Sequence, residues 1–276
     1  MKTNTHILLY DDYCPLCTWY SGLFVKLGLL NAENRIPFSK ADLEILAAID
    51  IEKGKDEIPL YEKETGKTLY GIDALLEILG QKCKPVKPIG NLKPLNWFLK
   101  KLYKLISYNR KVIVAKKCGT GNFDCSPGFN VFYRVLFMSI FLLFNSVMLF
   151  PLHNTIFSSL SFYHLDFFQL EAAHLLFVAV NCTIAVFLNH KKGIEYLGQI
   201  NMLAVICILL LTLLMFLSNT FLLPEWMIFF YLALLSVLII KEYFRRMKYV
   251  NLLPGYKTII ILNLFCLAGF LGYVFH

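Results

Sequence analysis

Charged residues are scarce in this sequence. They make up 17% of its 276 residues, against 57% for the hydrophobic ones, and most of them lie in the first half. After about residue 130 the chain consists mainly of long apolar runs. This asymmetry excludes a single water-soluble core for the whole chain. The sequence therefore predicts a soluble N-terminal domain joined to an all-α transmembrane domain.

Five apolar runs come close to the roughly 20 residues with which a helix crosses a bilayer. They are residues 131–150, 170–188, 199–217, 225–240 (or 221–240) and 258–275. The last two are short or interrupted, so four spans with a re-entrant segment is the alternative to five. We accordingly predict a soluble domain at 1–120, a linker at 121–130 and a membrane domain at 131–276.

Lysine and arginine are absent from alternate loops of this membrane domain. Residues 151–169 and 218–224 contain neither, whereas the other loops and the segment before the first span are basic. Basic loops stay on the cytoplasmic side of a membrane. The pattern predicts an integral protein of a bacterial inner (cytoplasmic) membrane, with its C-terminus outside. We attribute the net charge of +8 to this signal and to contact with the lipid bilayer, and expect no nucleic-acid partner.

A secretory signal is also not predicted. Residues 1–6 are polar, and the apolar run that follows is only four residues long. Together with the loop charges, this places the N-terminal domain in the cytoplasm.

A pair of cysteines, Cys14 and Cys17, follows the apolar run 7–10 and opens a helical pattern. At a helix N-terminus the first thiol of such a C-x-x-C pair has a lowered pKa, and the thiolate is the attacking species. Zinc is the alternative ligand for this spacing, but a second Cys or His pair is missing near residue 17. The context favours a redox dithiol, and we expect no cofactor and no bound metal.

Vicinal cysteines are missing from the predicted outer loops. Their absence disfavours a quinone-linked enzyme that generates disulfides on the outer side. Cys118 and Cys125 lie before the first span. We expect them to be free thiols, because disulfides are uncommon in the cytoplasm. The alternative is that they act as accessory thiols for the C-x-x-C pair or form a second redox pair.

The elements of the N-terminal half are predicted in the order β-α-β-α-β-β-α, which is that of a thioredoxin-like α/β domain. The strands are expected at 7–10, 35–39, 58–61 and 68–71, with helices from Leu16 to Gly28, from Asp42 to Ile49 and at 74–79. In such a fold a proline before the third strand lies beside the dithiol, usually after a cis peptide bond. Pro59, after Ile58, occupies this place. An ordinary proline at the start of a strand is the alternative.

Three motifs resemble the DCC family of thiol-disulfide oxidoreductases, whose signature is Asp-x-x-Cys-x-x-Cys. Asp11, Cys14 and Cys17 stand in that register, and 71–76 and 102–110 match two further stretches of the family. The resemblance covers roughly residues 6–118. It implies a thioredoxin-like fold and an activity in thiol-disulfide exchange. Asp12 departs from the family, which commonly has glycine there.

Each residue of the dithiol motif has an expected role. Cys14 is the predicted nucleophile, because it is closer to the helix N-terminus, and Cys17 is the resolving thiol. Asp11 is expected either to accept the proton of Cys17 or to cap the loop. Ile58 and Pro59 are expected to border the substrate.

Polar residues within the membrane domain form a second group of candidates. Glu171 and His174 are three residues apart, so they share one side of a helix and are a candidate site for a metal or a quinone headgroup. Asn145, Asn181 and Asn201 are expected to form hydrogen bonds between helices.

The leading prediction is a membrane-tethered thiol-disulfide oxidoreductase that acts on a protein or small-molecule thiol or disulfide. The alternatives are a quinone- or metal-linked membrane redox protein, and a non-enzymatic assembly protein whose C-x-x-C binds metal.

Overall fold

The computed structural model describes residues 5–116, 127–157, 165–221 and 223–275. The chain divides into two compact units, Met1–Tyr133 and Arg134–His276. The predicted linker at 121–130 falls largely outside the described residues.

The N-terminal unit is a small α/β domain. Its elements are β1 (His6–Tyr10), α1 (Pro15–Lys26), β2 (Arg35–Pro37), α2 (Leu43–Ala47), α3 (Ile51–Asp56), β3 (Pro59–Glu62), β4 (Thr68–Tyr70), α4 (Gly71–Lys82), α5 (Val86–Gly90) and α6 (Lys93–Val114). The three helices and four strands of the prediction are present. Three further helices, α3, α5 and α6, were not predicted.

The four strands form one mixed sheet in the order β2-β1-β3-β4. Strand β1 is parallel to β2 and antiparallel to β3, and β3 is antiparallel to β4. This order and these directions are those of a thioredoxin-like domain, which confirms the predicted fold class.

Strand β1 lies at the centre of the domain, and side chains on both of its faces are buried. Its side chains alternate between the two faces, as the two-residue period of a strand requires. Leu8 packs in one cluster with Phe24 of α1 and Leu60 of β3. Ile7 and Leu9 pack in the opposite cluster, which includes Phe38 and Leu46. The sheet therefore holds the C-terminal end of β1, and the dithiol loop after it, between two cores.

The predicted cis bond before Pro59 is wrong. Among the described residues the one cis peptide bond is Leu253–Pro254, and Ile58–Pro59 is trans. Pro59 is the first residue of β3, where a missing N–H is tolerated, and it pairs with Tyr70. On the other side of the bond, Ile58 accepts a hydrogen bond from the Gly71 N–H (3.0 Å). The chain thus enters β3 in an extended conformation, so the alternative of an ordinary strand-start proline describes this residue.

The C-terminal unit is helical. It contains α7 (Val131–Leu152), which continues as a π-helical turn (His153–Phe157), α8 (Phe167–Val186), α9 (His190–Phe221), α10 (Glu225–Tyr249) and α11 (Lys257–Phe275). The first residues of α7 belong to the N-terminal unit.

Four of these helices are long and apolar enough to cross a membrane, judged by length and composition. They are Val131–Ile156, Phe167–Val186, His190–Phe221 and Glu225–Tyr249. The fifth predicted span is also a helix, but its apolar part, Lys257–Phe270, is shorter. This finding supports an integral membrane protein and leaves five spans as an approximate count.

Asparagine side chains join the helices of this unit, as predicted. Asn201 of α9 donates to the Met138 carbonyl of α7 (2.7 Å), and Asn145 of α7 donates weakly to Asn201 (3.5 Å). Asn181 of α8 accepts a hydrogen bond from Asn263 of α11 (2.6 Å). Such bonds are worth about 1 kcal/mol each within a membrane, so they set the helix arrangement more than they stabilise it.

Candidate active site

The loop between β1 and α1 carries the dithiol. Asp11 follows β1 and fixes the loop twice: its carboxylate accepts from the Tyr13 N–H (3.0 Å), and its carbonyl accepts from the Cys14 N–H (3.3 Å). Cys14 is the N-cap of α1, and its sulfur accepts from the Cys17 N–H (3.4 Å). Pro15 occupies the first turn, where its missing N–H costs nothing. The local sequence therefore presents the Cys14 sulfur to the helix N-terminus, as predicted.

The site is buried. Cys14 is 7% exposed, Cys17 4% and Asp11 5%. A buried carboxylate and a buried thiolate need compensating partners, because an uncompensated charge in a protein interior is strongly destabilising.

Arg110 supplies this compensation, and the sequence analysis missed it. Its guanidinium donates to the Cys17 sulfur (Nη1–Sγ 3.6 Å) and to the Asp11 carboxylate (Nη2–Oδ2 3.5 Å). The same Nη2 donates to the Lys55 carbonyl (3.1 Å). Arg110 is itself 9% exposed. One cation thus binds both Cys17 and the acidic residue of the motif.

Helix α6 brings Arg110 to the site by docking on the segment between α3 and β3. Tyr103 accepts a hydrogen bond from the Ile58 N–H (2.9 Å), and Ser107 donates to the Asp56 carbonyl. Together with Arg110 these residues are spaced i, i+4 and i+7, so they share one helix face. The signal that pointed to Arg110 was its place at the end of the stretch 102–110, which resembles the DCC family. We placed it in that stretch and in the basic segment before the first span, but assigned it no role at the dithiol.

The surroundings of the two thiols shift their pKa values in opposite directions. A hydrogen bond from Cys17 is the main cause that lowers the pKa of Cys14 to about 6; burial opposes it, and the charge of Arg110 lowers the pKa further. The same hydrogen bond, followed by burial, raises the pKa of Cys17 far above its usual value. These shifts favour Cys14 as the thiolate and Cys17 as its hydrogen-bond donor, and the roles of nucleophile and resolving thiol stay predictions.

Asp12, the departure from the family pattern, does not face the thiols. Its side chain is exposed and accepts a hydrogen bond from the Ser39 hydroxyl (2.8 Å). The extra carboxylate is therefore held towards solvent.

The remaining predicted site residues have different outcomes. Ile58 and Pro59 are both buried, and Ile58 has its N–H and carbonyl bonded within the domain, so their contact with substrate stays a prediction. Cys118 and Cys125 lie outside the described residues. Glu171 and His174 do lie close together (Oε2–Nδ1 3.7 Å), and His174 also contacts the Ser146 hydroxyl (3.2 Å). Over the described parts of the chain, His, Cys, Asp and Glu form no group of three that would hold a metal ion.

The fold and the dithiol define the N-terminal unit as a thioredoxin-like redox domain. Residues 8–116 match the family model described as DCC1-like thiol-disulfide oxidoreductase. This part of the chain is therefore similar to that family, as its motifs suggested, and the match supports a role in thiol-disulfide redox chemistry. Comparison with curated proteins and with solved structures gave no match.

Proposed function

We propose that this protein is a membrane-tethered thiol-disulfide oxidoreductase whose dithiol works in the cytoplasm. The observation that carries the proposal is the Cys14 sulfur at the N-cap of α1, with its pKa lowered to about 6 by Cys17 and Arg110. A thiolate with this pKa is largely ionised at cytoplasmic pH and is still nucleophilic.

In the first step, the Cys14 thiolate attacks one sulfur of a substrate disulfide. A bond forms between Cys14 and that sulfur, and the other substrate sulfur leaves as a thiolate. The product is a mixed disulfide between Cys14 and the substrate.

In the second step, Cys17 resolves the mixed disulfide. Once the Cys14 sulfur is bonded to substrate, it is no longer an anion that holds the Cys17 proton, so the main cause of the raised pKa of Cys17 is removed. The Arg110 guanidinium, 3.6 Å from the Cys17 sulfur, then stabilises the new thiolate. Cys17 attacks Cys14, the second substrate thiolate leaves, and two electrons have passed from the dithiol to the substrate.

Asp11 is the proposed acceptor of the Cys17 proton. Its carboxylate shares Arg110 with Cys17 and is buried beside the loop. Its bond to the Tyr13 N–H also makes it a loop cap, so the two roles suggested by the sequence are compatible.

The reducing direction is proposed because the loop charges favour a cytoplasmic position, where thiols are kept reduced. The full-length protein in detergent, reduced and freed of reductant, is expected to reduce one equivalent of a protein disulfide such as that of insulin. Mass spectrometry should then find Cys14 joined to Cys17. Failure to transfer electrons to any disulfide, with the thiols intact, would contradict the proposal.

The proposed orientation is tested by labelling. In cells whose outer envelope has been permeabilised, a thiol reagent that cannot cross the inner membrane should leave Cys14 unlabelled until that membrane is opened. A control variant with an exposed cysteine at the C-terminal end of α9, in the lysine-free segment 218–224, is Thr220→Cys, and it should be labelled at once. Immediate labelling of Cys14 would reverse the orientation and remove the reason for proposing a reductase.

A further inference from the structure

The helical unit contains a cavity of about 330 Å³. Residues of all five helices α7 to α11 line it, and most of them are apolar. The volume is within the range of sites that bind small molecules. None of the described residues in its lining is Asp, Glu, Lys or Arg. A ligand for this cavity is therefore uncharged and largely apolar.

Two polar side chains in the lining each have one polar group without a hydrogen-bond partner in the part of the chain that the structure describes. The Tyr243 hydroxyl and the Asn145 Oδ1 are buried, and neither has a hydrogen-bond partner among the described residues. Tyr243 is 1% exposed and Asn145 is 4% exposed. A buried polar group without a partner is costly, so a molecule that satisfies both groups gains affinity.

Other polar side chains in the lining do have partners within the protein. Asn181 and Asn263, which also line the cavity, are bonded to each other and to Tyr196. His174 lines it as well, with its Nδ1 beside the Ser146 hydroxyl (3.2 Å) and the Glu171 carboxylate (3.7 Å). These groups hold the helices together, whereas the Tyr243 hydroxyl and Asn145 Oδ1 have no hydrogen-bond partner in the described part of the chain.

We propose that this cavity binds a neutral, lipid-soluble molecule that carries a hydroxyl on its head group. Asn145 Oδ1 can only accept a hydrogen bond, so the ligand must donate one. The Tyr243 hydroxyl can donate to an oxygen of the ligand. The apolar lining receives the hydrocarbon body. This site is independent of the dithiol chemistry proposed above.

A matched pair of probes tests the donor requirement: 4-decylphenol, and 4-decylanisole, in which a methyl group replaces the hydroxyl hydrogen. Binding to the full-length protein in detergent is measured by native mass spectrometry. One 4-decylphenol should bind per chain, and 4-decylanisole about tenfold more weakly, as expected for one lost hydrogen bond at a buried acceptor. Equal binding of the two probes, or no saturable binding of either, would overturn the proposal.

Two variants assign the hydrogen bonds. Tyr243→Phe should weaken 4-decylphenol binding about tenfold without lowering the unfolding temperature of the free protein, because the removed hydroxyl has no hydrogen-bond partner among the described residues. Asn145→Leu should bring the affinities of the two probes close together. Tyr273→Phe, at a 45% exposed tyrosine outside the lining, is the matched control and should bind as the unchanged protein does. An unchanged affinity in Tyr243→Phe, or a loss as large in Tyr273→Phe, would overturn the assignment.

Discussion

Replacing Cys14 by serine is expected to abolish thiol-disulfide exchange, whereas replacing Cys17 by serine should stop the reaction half-way. In Cys14→Ser the remaining thiol, Cys17, is only 4% exposed, and burial still raises its pKa without the hydrogen bond to Cys14, so it cannot start the attack. In Cys17→Ser the thiolate of Cys14 still attacks, but nothing resolves the product. Mixed disulfides with substrate should therefore accumulate in Cys17→Ser alone, and non-reducing gels followed by mass spectrometry would detect them.

The control for this pair is Cys83→Ser, at an exposed cysteine that follows α4. It should exchange like the unchanged protein and trap nothing. Equal trapping by Cys14→Ser and Cys17→Ser would remove the assignment of nucleophile and resolving thiol. Trapping by neither variant would favour the non-enzymatic, metal-binding alternative.

Removing the charge of Arg110 is expected to raise the pKa of Cys14 and to slow the resolving step. Cys14 ionises at about pH 6, so alkylation of the reduced protein should rise with pH through a midpoint near that value. The sign follows from the charge: without the cation the thiolate is less stable and the midpoint moves up, towards the roughly 8.5 of a free cysteine. The hydrogen bond from Cys17 lowers the pKa of Cys14 more than Arg110 does, and it remains in Arg110→Leu. The midpoint in this variant should therefore stay below the value of a free cysteine.

The alkylation rate of Arg110→Leu near pH 6 should consequently fall several-fold, and mixed disulfides should live longer. Arg110→Lys keeps the charge but not the fork that contacts Cys17 and Asp11 together, so it should give an intermediate midpoint. Lys116→Leu removes an exposed cation just after α6 and should leave the midpoint unchanged. Circular dichroism checks that each variant is folded. A midpoint unaffected by Arg110→Leu would show that Arg110 does not tune the thiol.

The dithiol and the sheet could be predicted because their signals are local. An apolar strand, a C-x-x-C pair and a proline at the first turn of a helix specify the loop around Cys14 without knowledge of the rest of the chain. The two runs 58–61 and 68–71, which were predicted as strands, likewise specify β3 and β4. The alternation of apolar runs and basic loops identified the membrane unit in the same way.

Helix α6 and Arg110 escaped prediction because the buried face of this helix is partly polar. Ser107, Asn109 and Arg110 are buried there, so no continuous apolar stripe marks the inner side. Their partners, such as the Lys55 and Asp56 carbonyls, are more than 50 residues away along the chain. The error at Pro59 has a different origin. Its peptide bond was inferred from fold analogy, while the actual conformation depends on the hydrogen bonds of Ile58 to Tyr103 and Gly71.

The orphaned groups of the membrane cavity were equally out of reach of sequence reasoning. Asn145 was correctly predicted to bond another helix, but only the packed structure reveals that its Oδ1 has no hydrogen-bond partner within the described ranges. Tyr243 gave no signal at all, because a tyrosine on a membrane helix is usually an ordinary packing residue.

The central claim is that Cys14 and Cys17 form a reversible redox pair, and an equilibrium redox titration tests it most directly. The full-length protein would be poised in thiol-disulfide buffers of known potential, and the peptide containing both cysteines quantified by differential alkylation. The account predicts a single two-electron transition with a slope of about 30 mV per tenfold change, at a potential of roughly −270 to −120 mV. It also predicts that Cys14→Ser and Cys17→Ser abolish the transition. A dithiol that forms no Cys14–Cys17 disulfide at any potential, or one that holds a stoichiometric metal ion instead, would contradict it.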